Sequence, residues 1–162
     1  MKIALFPGSF DPITRGHTEI ILRGRAIFDR IIVAIGINSQ KHYLFSLEER
    51  QEMLRLCFKS EPQIETGAYD GLTVDYARRL GAQFLLRGLR SPADLAYEQP
   101  IELINKHMAP ELETVHLLSS PATAMISSTI VREVIKHRGE VGGLLPEQIV
   151  SYVRHLKYDL PA

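Results

Sequence analysis

Phe6-Pro7-Gly8-Ser9-Phe10-Asp11-Pro12-Ile13-Thr14-Arg15-Gly16-His17 follows the apolar run Ile3-Ala4-Leu5-Phe6 and precedes Ile20-Ile21-Leu22 and Ala26-Ile27-Phe28. The run reads as a buried strand, and the spacing of the later apolar residues reads as one face of a helix. Two glycines, two hydroxyls and a histidine therefore sit where a strand hands over to a helix. Backbone N–H groups are free at such a junction, and the helix dipole favours negative charge. Gly16 lets a ligand approach the backbone, and His17 projects from the first helical turn. The segment is a place to bind a polyphosphate and to act on it.

Outward from this junction, apolar runs alternate with helical patterns to the end of the chain. Strands are expected at Ile3–Phe6, Ile31–Ile37, Gln63–Glu65, Phe84–Leu86 and Val115–Leu118, and helices at about 16–29, 47–59, 71–80, 93–108, 128–138 and 146–157. Ser46 with Glu49 forms a capping box, Gly81 and Gly139 are placed to stop helices, and Pro146 suits a first turn. Pro100 falls inside the fourth expected helix, so either that helix kinks or two helices meet there. Strand–helix repetition with short connections predicts an α/β fold, a parallel five-stranded sheet with helices on both faces, in one domain spanning 1–162. Ligands of such sheets bind beyond the carboxyl ends of the strands. That selects the loops 7–16, 37–46, 66–72, 87–93 and 119–127.

The bulk composition narrows the function classes. The 162 residues suffice for one sizeable core. Lysine plus arginine balances aspartate plus glutamate, 19 against 19, so a general nucleic-acid binder, which needs a basic excess, loses weight. The lone Cys57 lies in an apolar helical face, which excludes an internal disulfide or a cysteine zinc site and favours a core residue over a nucleophile. No signal-peptide pattern and no run of membrane-spanning length is seen, so the expected location is cytoplasmic, without a membrane partner.

Each selected loop carries candidate chemistry. The first offers Ser9, Thr14 and His17; a protonated or N–H-donating imidazole there can meet phosphate oxygens as charge builds. In the second, Lys41 reads equally well as a phosphate ligand or as a solvated surface lysine. The third, from Tyr69 to Asp75, reads equally as the lining for an organic arm or as a helix cap. In the fourth, Arg87 and Arg90 flank Gly88-Leu89 at a strand end, and arginine suits bidentate phosphate binding. In the fifth, Ser127-Ser128-Thr129 exceeds what a helix cap needs. Together the loops present His17, Lys41, Arg87, Arg90 and several hydroxyls to one mouth.

With these residues the chain strongly resembles the phosphopantetheine adenylyltransferase family. Thr14-Arg15-Gly16-His17 and the segment Ile126–Arg132 mark only the wider nucleotidyltransferase superfamily. The narrower resemblance is carried by Pro7–Pro12, Arg87-Gly88-Leu89-Arg90, Asp94 with Tyr97-Glu98, and Asn105 through Glu113. It implies a Rossmann-like nucleotidyltransferase fold, adenylyl transfer from ATP to 4′-phosphopantetheine, Mg²⁺ as cofactor, and a homohexamer; no Asp/Glu cluster of metal-site spacing stands out in the sequence, so the Mg²⁺ is expected to arrive with ATP and to have no protein side-chain ligands. By position, His17 would stabilise the transition state and contact ATP, with Lys41 and Arg90 as further catalytic cations. Ser9, Lys41, Thr73 and Arg87 would hold phosphopantetheine. Ser9, Phe10, Gly88, Leu89, Arg90, Glu98, Thr123, Ala124, Met125, Ile126, Ser127, Ser128 and Thr129 would complete the ATP site. Departures from the family pattern are Ser9 for a frequent threonine, His42-Tyr43 for a frequent Lys-Pro, Thr123 for a frequent aromatic, and Pro100. The rivals are a relative using another acceptor such as nicotinamide mononucleotide, a non-catalytic nucleotide-binding module, and a structural assembly protein.

Overall fold

A computed structural model describes residues 1–158; the expected domain span runs four residues past them. In chain order the elements are β1 (Ile3–Gly8), α1 (Arg15–Gly24), β2 (Arg30–Gly36), α2 (Leu47–Phe58), β3 (Ile64–Tyr69), α3 (Thr73–Leu80), β4 (Phe84–Leu89), α4 (Pro92–Met108), β5 (Glu113–Leu118), α5 (Ser128–Lys136) and α6 (Glu147–Lys157). The five strands form one parallel sheet in the order β3-β2-β1-β4-β5.

Strand order and handedness dictate the layers. Right-handed crossovers put the helices leaving β1 and β2 on one face, and those leading to β4 and β5 on the other. The first face buries Ala4 and Phe6 of β1 against Ile20, Met53, Val131, Ile135, Ile149 and Val153. The second buries Ile3 and Leu5 against Val74 and Ala77 of α3 and against Ala109 and Leu112 beyond α4. The chain reverses direction between β1 and β4, the switch point at which an open α/β sheet leaves a crevice.

Every expected strand exists, but most bounds move. β4 continues three residues beyond Leu86, so Arg87 and Gly88 lie on the strand rather than in the loop. β3 runs to Tyr69; its Glu65, Thr66, Gly67 and Ala68 carry little apolar signal because β3 is an edge strand, largely open on its outer side. α1 stops at Gly24, where a β-carbon would lie 2.8 Å from Leu86, and residues 25–28 turn tightly back to place the buried Phe28. Gly81 caps α3 in the left-handed conformation as expected, but α5 ends at Lys136 and Arg138 takes the left-handed turn instead of Gly139. Pro146 precedes α6 rather than entering it. Of the two expectations for Pro100, a junction of two helices is excluded: α4 runs through it as one helix of 17 residues, none of them buried.

Candidate functional site

The strand–helix junction of the opening segment is built around an unusual ring. Phe10 has a positive φ of 47°, uncommon for a bulky residue, and its side chain turns back into the core. The ring occupies the space beside Gly8, where a β-carbon would come within 2.8 Å of it, and it stacks on Phe6 and meets the edge of His17. Core packing thus holds the loop's shape, while its backbone and Ser9 line the cleft.

Two buried ionic groups fasten this loop to the one after β2. Asp11 is 3% exposed and its carboxylate accepts hydrogen bonds from the backbone N–H groups of Leu44 and Phe45, each at 2.9 Å. Arg50, equally buried, donates to the carbonyl of Ser9 at 2.8 Å and lies over the Tyr43 ring. Asp11→Ala would leave two amide donors without partners, a loss of about 1–3 kcal/mol for each one that stays dry. A fall in melting temperature of at least about 5 °C is the expected result for a chain of this size. A variant as stable as the parent in calorimetry would show that water replaces the carboxylate.

His17 is oriented by the first turn of α1. The backbone N–H of Thr14 donates to His17 Nδ1 at 3.0 Å, a capping-box contact in which histidine takes the place of glutamate. Because Nδ1 accepts, the neutral ring carries its proton on Nε2, the remaining polar atom of a ring that lines the cleft. Burial, with the charges of Arg87 and then Arg90 adding to it, lowers the His17 pKa to about 4. Of the two forms the sequence allowed, the neutral N–H donor is therefore the resting one.

The pleat of β4 sorts the next residues. Arg87 shares the α4 face with the buried Leu85 and Leu89, whereas Gly88 faces α1, where a β-carbon would lie 2.9 Å from Ile20. Arg87 Nε donates to Glu98 at 2.9 Å, Nη2 bonds the other Glu98 oxygen, and Nη1 donates to the carbonyl of Pro7 at 2.6 Å. Arg90, half exposed at the rim, makes a two-point pair with Asp94, both contacts at 3.0 Å, and that pairing holds the Asp94 carboxyl below its usual range.

The loop after β5 is tied to α1. Glu19 accepts from the backbone N–H and hydroxyl of Ser120 at 3.0 and 2.9 Å, and from the hydroxyl of Thr123. Burial raises the Glu19 pKa, but the hydrogen bonds from Thr123, Ser120 and Arg23 outweigh it and hold the carboxyl low. Of the three hydroxyls that open α5, Ser127 caps the helix, Ser128 donates to the carbonyl of Pro12, and Thr129 accepts from Arg132.

These parts enclose two cavities. The larger, about 460 Å³, is lined by Ser9, Phe10, His17, Arg87, Gly88, Arg90, Glu98, Ile126, Ser127, Ser128 and Thr129 among the expected residues. A smaller one of about 140 Å³ lies against α4 and includes Thr73, whose hydroxyl is 2.7 Å from that of Tyr69. Lys41, Leu89, Thr123, Ala124 and Met125 line neither. Lys41 is exposed on its loop, Leu89 points into the core, Thr123 is buried with its hydroxyl on Glu19, and Met125 is 80% exposed. Sequence reasoning assigned no site role to Asp11, Asp94, Tyr97, Ser119 or Arg132, all of which line the larger cavity. Arg132 was within reach: it lies four residues past Ser128, one helical turn on and on the same face. Cys57 is a core residue whose thiol burial pushes up to about 12.

The fold is consistent with the comparisons with known proteins. Residues 5–134 match the cytidylyltransferase-like family model. The chain is similar to the phosphopantetheine adenylyltransferase of Flavobacterium psychrophilum, with 48% identity over 149 residues, 92% of this chain and 98% of the relative. It is 49% identical to that of Flavobacterium johnsoniae, covering 92% of this chain and 97% of the relative. With that of Desulforudis audaxviator the identity is 46% over 154 residues, 95% of this chain and 94% of the relative.

Proposed function

The chain belongs to the phosphopantetheine adenylyltransferase family, within the cytidylyltransferase-like nucleotidyltransferases, and on that premise we propose how its cleft performs the family reaction. The protein transfers the adenylyl group of ATP to 4′-phosphopantetheine, giving dephospho-coenzyme A and pyrophosphate in coenzyme A biosynthesis. The observation that carries the site reading is the convergence of His17, Arg87 and Arg90 on one cavity at the switch point between β1 and β4.

ATP occupies the larger cavity. Ser9, the backbone of Phe10 and Gly88, Glu98 and the segment Ile126–Thr129 line it, and Arg90 meets its phosphates, while Leu89 and residues 123–125 stand outside the lining. The pantetheine arm enters along the smaller cavity past Thr73, with its phosphate on Arg87 and on Lys41, which reaches in from its exposed loop. An oxygen of that phosphate attacks the α-phosphorus of ATP. The bond from the α-phosphorus to the oxygen bridging the β-phosphate breaks, and pyrophosphate leaves with the electron pair. The attacking phosphate is already an anion at neutral pH, so no strong base is needed, and positioning with electrostatic stabilisation supplies the rate. His17 donates its Nε2 proton as a hydrogen bond to the phosphate oxygens as charge gathers there.

The carboxylates of the cleft are already engaged, Asp11 by two amides and Asp94 and Glu98 by arginines. This donor set suits a metal–nucleotide complex better than a metal held by the protein. Mg²⁺ is accordingly proposed to arrive with ATP on phosphate oxygens and water, where it would neutralise the leaving pyrophosphate. A homohexamer in the cytoplasm is proposed on the family's pattern. The exposed Tyr97, Ile101 and Ile104, four and three residues apart, form an apolar stripe on α4 for such assembly. Sedimentation that finds only monomer would remove the hexamer. Among the described residues no helix is long and apolar enough to cross a membrane.

Pyrophosphate release with different acceptors tests the reading. Phosphopantetheine should exceed nicotinamide mononucleotide in kcat/KM by at least about 10³-fold, because the second substrate lacks the arm that Thr73 and the smaller cavity receive. A preference for the mononucleotide would reassign the acceptor, and no release with either would leave a nucleotide-binding module.

A further inference from the structure

Pro7, Arg87 and Glu98 line both cavities, so the Arg87–Glu98 pair stands between them. Each guanidinium nitrogen of Arg87 is engaged within the protein: Nε and Nη2 are on Glu98 and Nη1 is on the carbonyl of Pro7. The residue that is to grip the acceptor's phosphate already grips a carboxylate, and two carboxylate oxygens offer the same bidentate match that two phosphate oxygens would. The carboxylate comes from α4, which also supplies Asp94 to Arg90 one turn earlier, on the same helix face.

We propose that Glu98 is a specificity-determining residue, an internal stand-in for the acceptor's phosphate that holds Arg87 and closes the passage between the cavities until a phosphorylated acceptor displaces it. The inference rests on the reading of Arg87 as the acceptor-phosphate ligand.

Charge decides the exchange. A phosphate monoester near neutral pH carries between about 1.5 and 2 negative charges, against one on Glu98, so it can take the arginine from the carboxylate. A pantetheine arm without its phosphate has nothing to exchange and leaves the pair closed. Glu98 therefore lowers the affinity for every anion, most heavily for weak ones.

The supporting helix is able to yield. Pro100 cannot donate to the carbonyl of Ala96, so the turn that carries Glu98 lacks one helical hydrogen bond. The pair is also reached by water, with side-chain exposures of 28% for Arg87 and 12% for Glu98, so a released carboxylate has solvent to move into.

Isothermal titration in the absence of ATP tests the competition. Phosphopantetheine is titrated into the parent and into Glu98→Gln, which keeps the shape and removes the charge. About tenfold tighter binding to the variant is expected, a gain of about 1.4 kcal/mol, and unphosphorylated pantetheine, kept out of the parent by the closed pair, should bind the variant better than the parent. Equal or weaker phosphopantetheine binding to the variant would overturn the inference and make Glu98 an orienting partner of Arg87. Hydrogen exchange on the parent protein needs no variant: amides of residues 96–99 should exchange faster when phosphopantetheine is added, and unchanged exchange would also overturn it. If phosphopantetheine binds neither protein although ATP does, the acceptor reading fails and the inference with it.

Discussion

His17→Ala should lower turnover by about 10²–10³-fold and leave the fold intact, the effect of deleting one preorganised donor to developing negative charge. Among the described residues, the ring's one hydrogen bond to backbone caps the first turn of α1, and its edge contacts with Phe6 and Phe10 are peripheral to a core that both phenylalanines already fill. KM for ATP should change little, because the donor matters most when charge has built up. The neutral state adds a pH signature. With its pKa near 4, the free enzyme should show no histidine ionisation in kcat/KM for ATP between about pH 5.5 and 7.5. Stability follows the same displacement. The folded pKa lies below the unfolded value of about 6.5, so the folded chain binds fewer protons between the two. Stability is full above about 6.5 and is lost as pH falls toward 4. Urea unfolding of the variant should lack that component of the slope. Turnover within threefold of the parent, or a variant that does not fold, would recast His17 as structural.

Arg87→Ala should reduce kcat/KM for phosphopantetheine by roughly 2–5 kcal/mol, or about thirty- to several-thousand-fold, with the KM for ATP changed far less. Part of that loss is the missing grip on the phosphate. The rest comes from Glu98, which loses its partner and remains as an unpaired carboxylate facing the incoming anion. The double variant Arg87→Ala/Glu98→Gln should therefore recover part of the loss. Steady-state kinetics with each substrate varied in turn separates the two contributions. Equal losses toward ATP and acceptor would undo the division of labour between Arg87 and Arg90, and a double variant as poor as the single one would remove the electrostatic part of the argument.

The architecture was legible because its determinants are local. Ile3–Phe6, Ile31–Ile35 and Leu85-Leu86 are buried on both sides of the sheet, so they appear as continuous apolar runs, and the capping box at Ser46 announces α2. β3 was cut short because an edge strand with Thr66-Gly67-Ala68 does not need such a run. Arg87 and Gly88 were read as loop because polar and small residues end most strands, and only the sheet register shows that they continue one. The cations and hydroxyls of the cleft were legible as types, but their partners were not. Nothing in the sequence pairs Arg87 with a residue eleven positions on, or turns Thr123 away to Glu19, 104 positions earlier. Asp11 and Arg50 escaped notice because their roles, amide acceptor and carbonyl donor across two loops, exist only once the loops are adjacent.

The alternation along β4 limits how this protein can diverge. Leu85, Arg87 and Leu89 serve one face of the sheet, and Leu86 and Gly88 the other, within six consecutive residues. A one-residue insertion or deletion inside that stretch exchanges the faces for every residue beyond it. The arginine would be driven against Ile20, and a leucine or glycine would stand where the anion must be met. Substitutions in β4 can be compensated one at a time, whereas a length change removes the cleft and part of the core together. Lineages descended from such a chain are free to vary the lengths of the loops that follow the strands, but not the length of this strand.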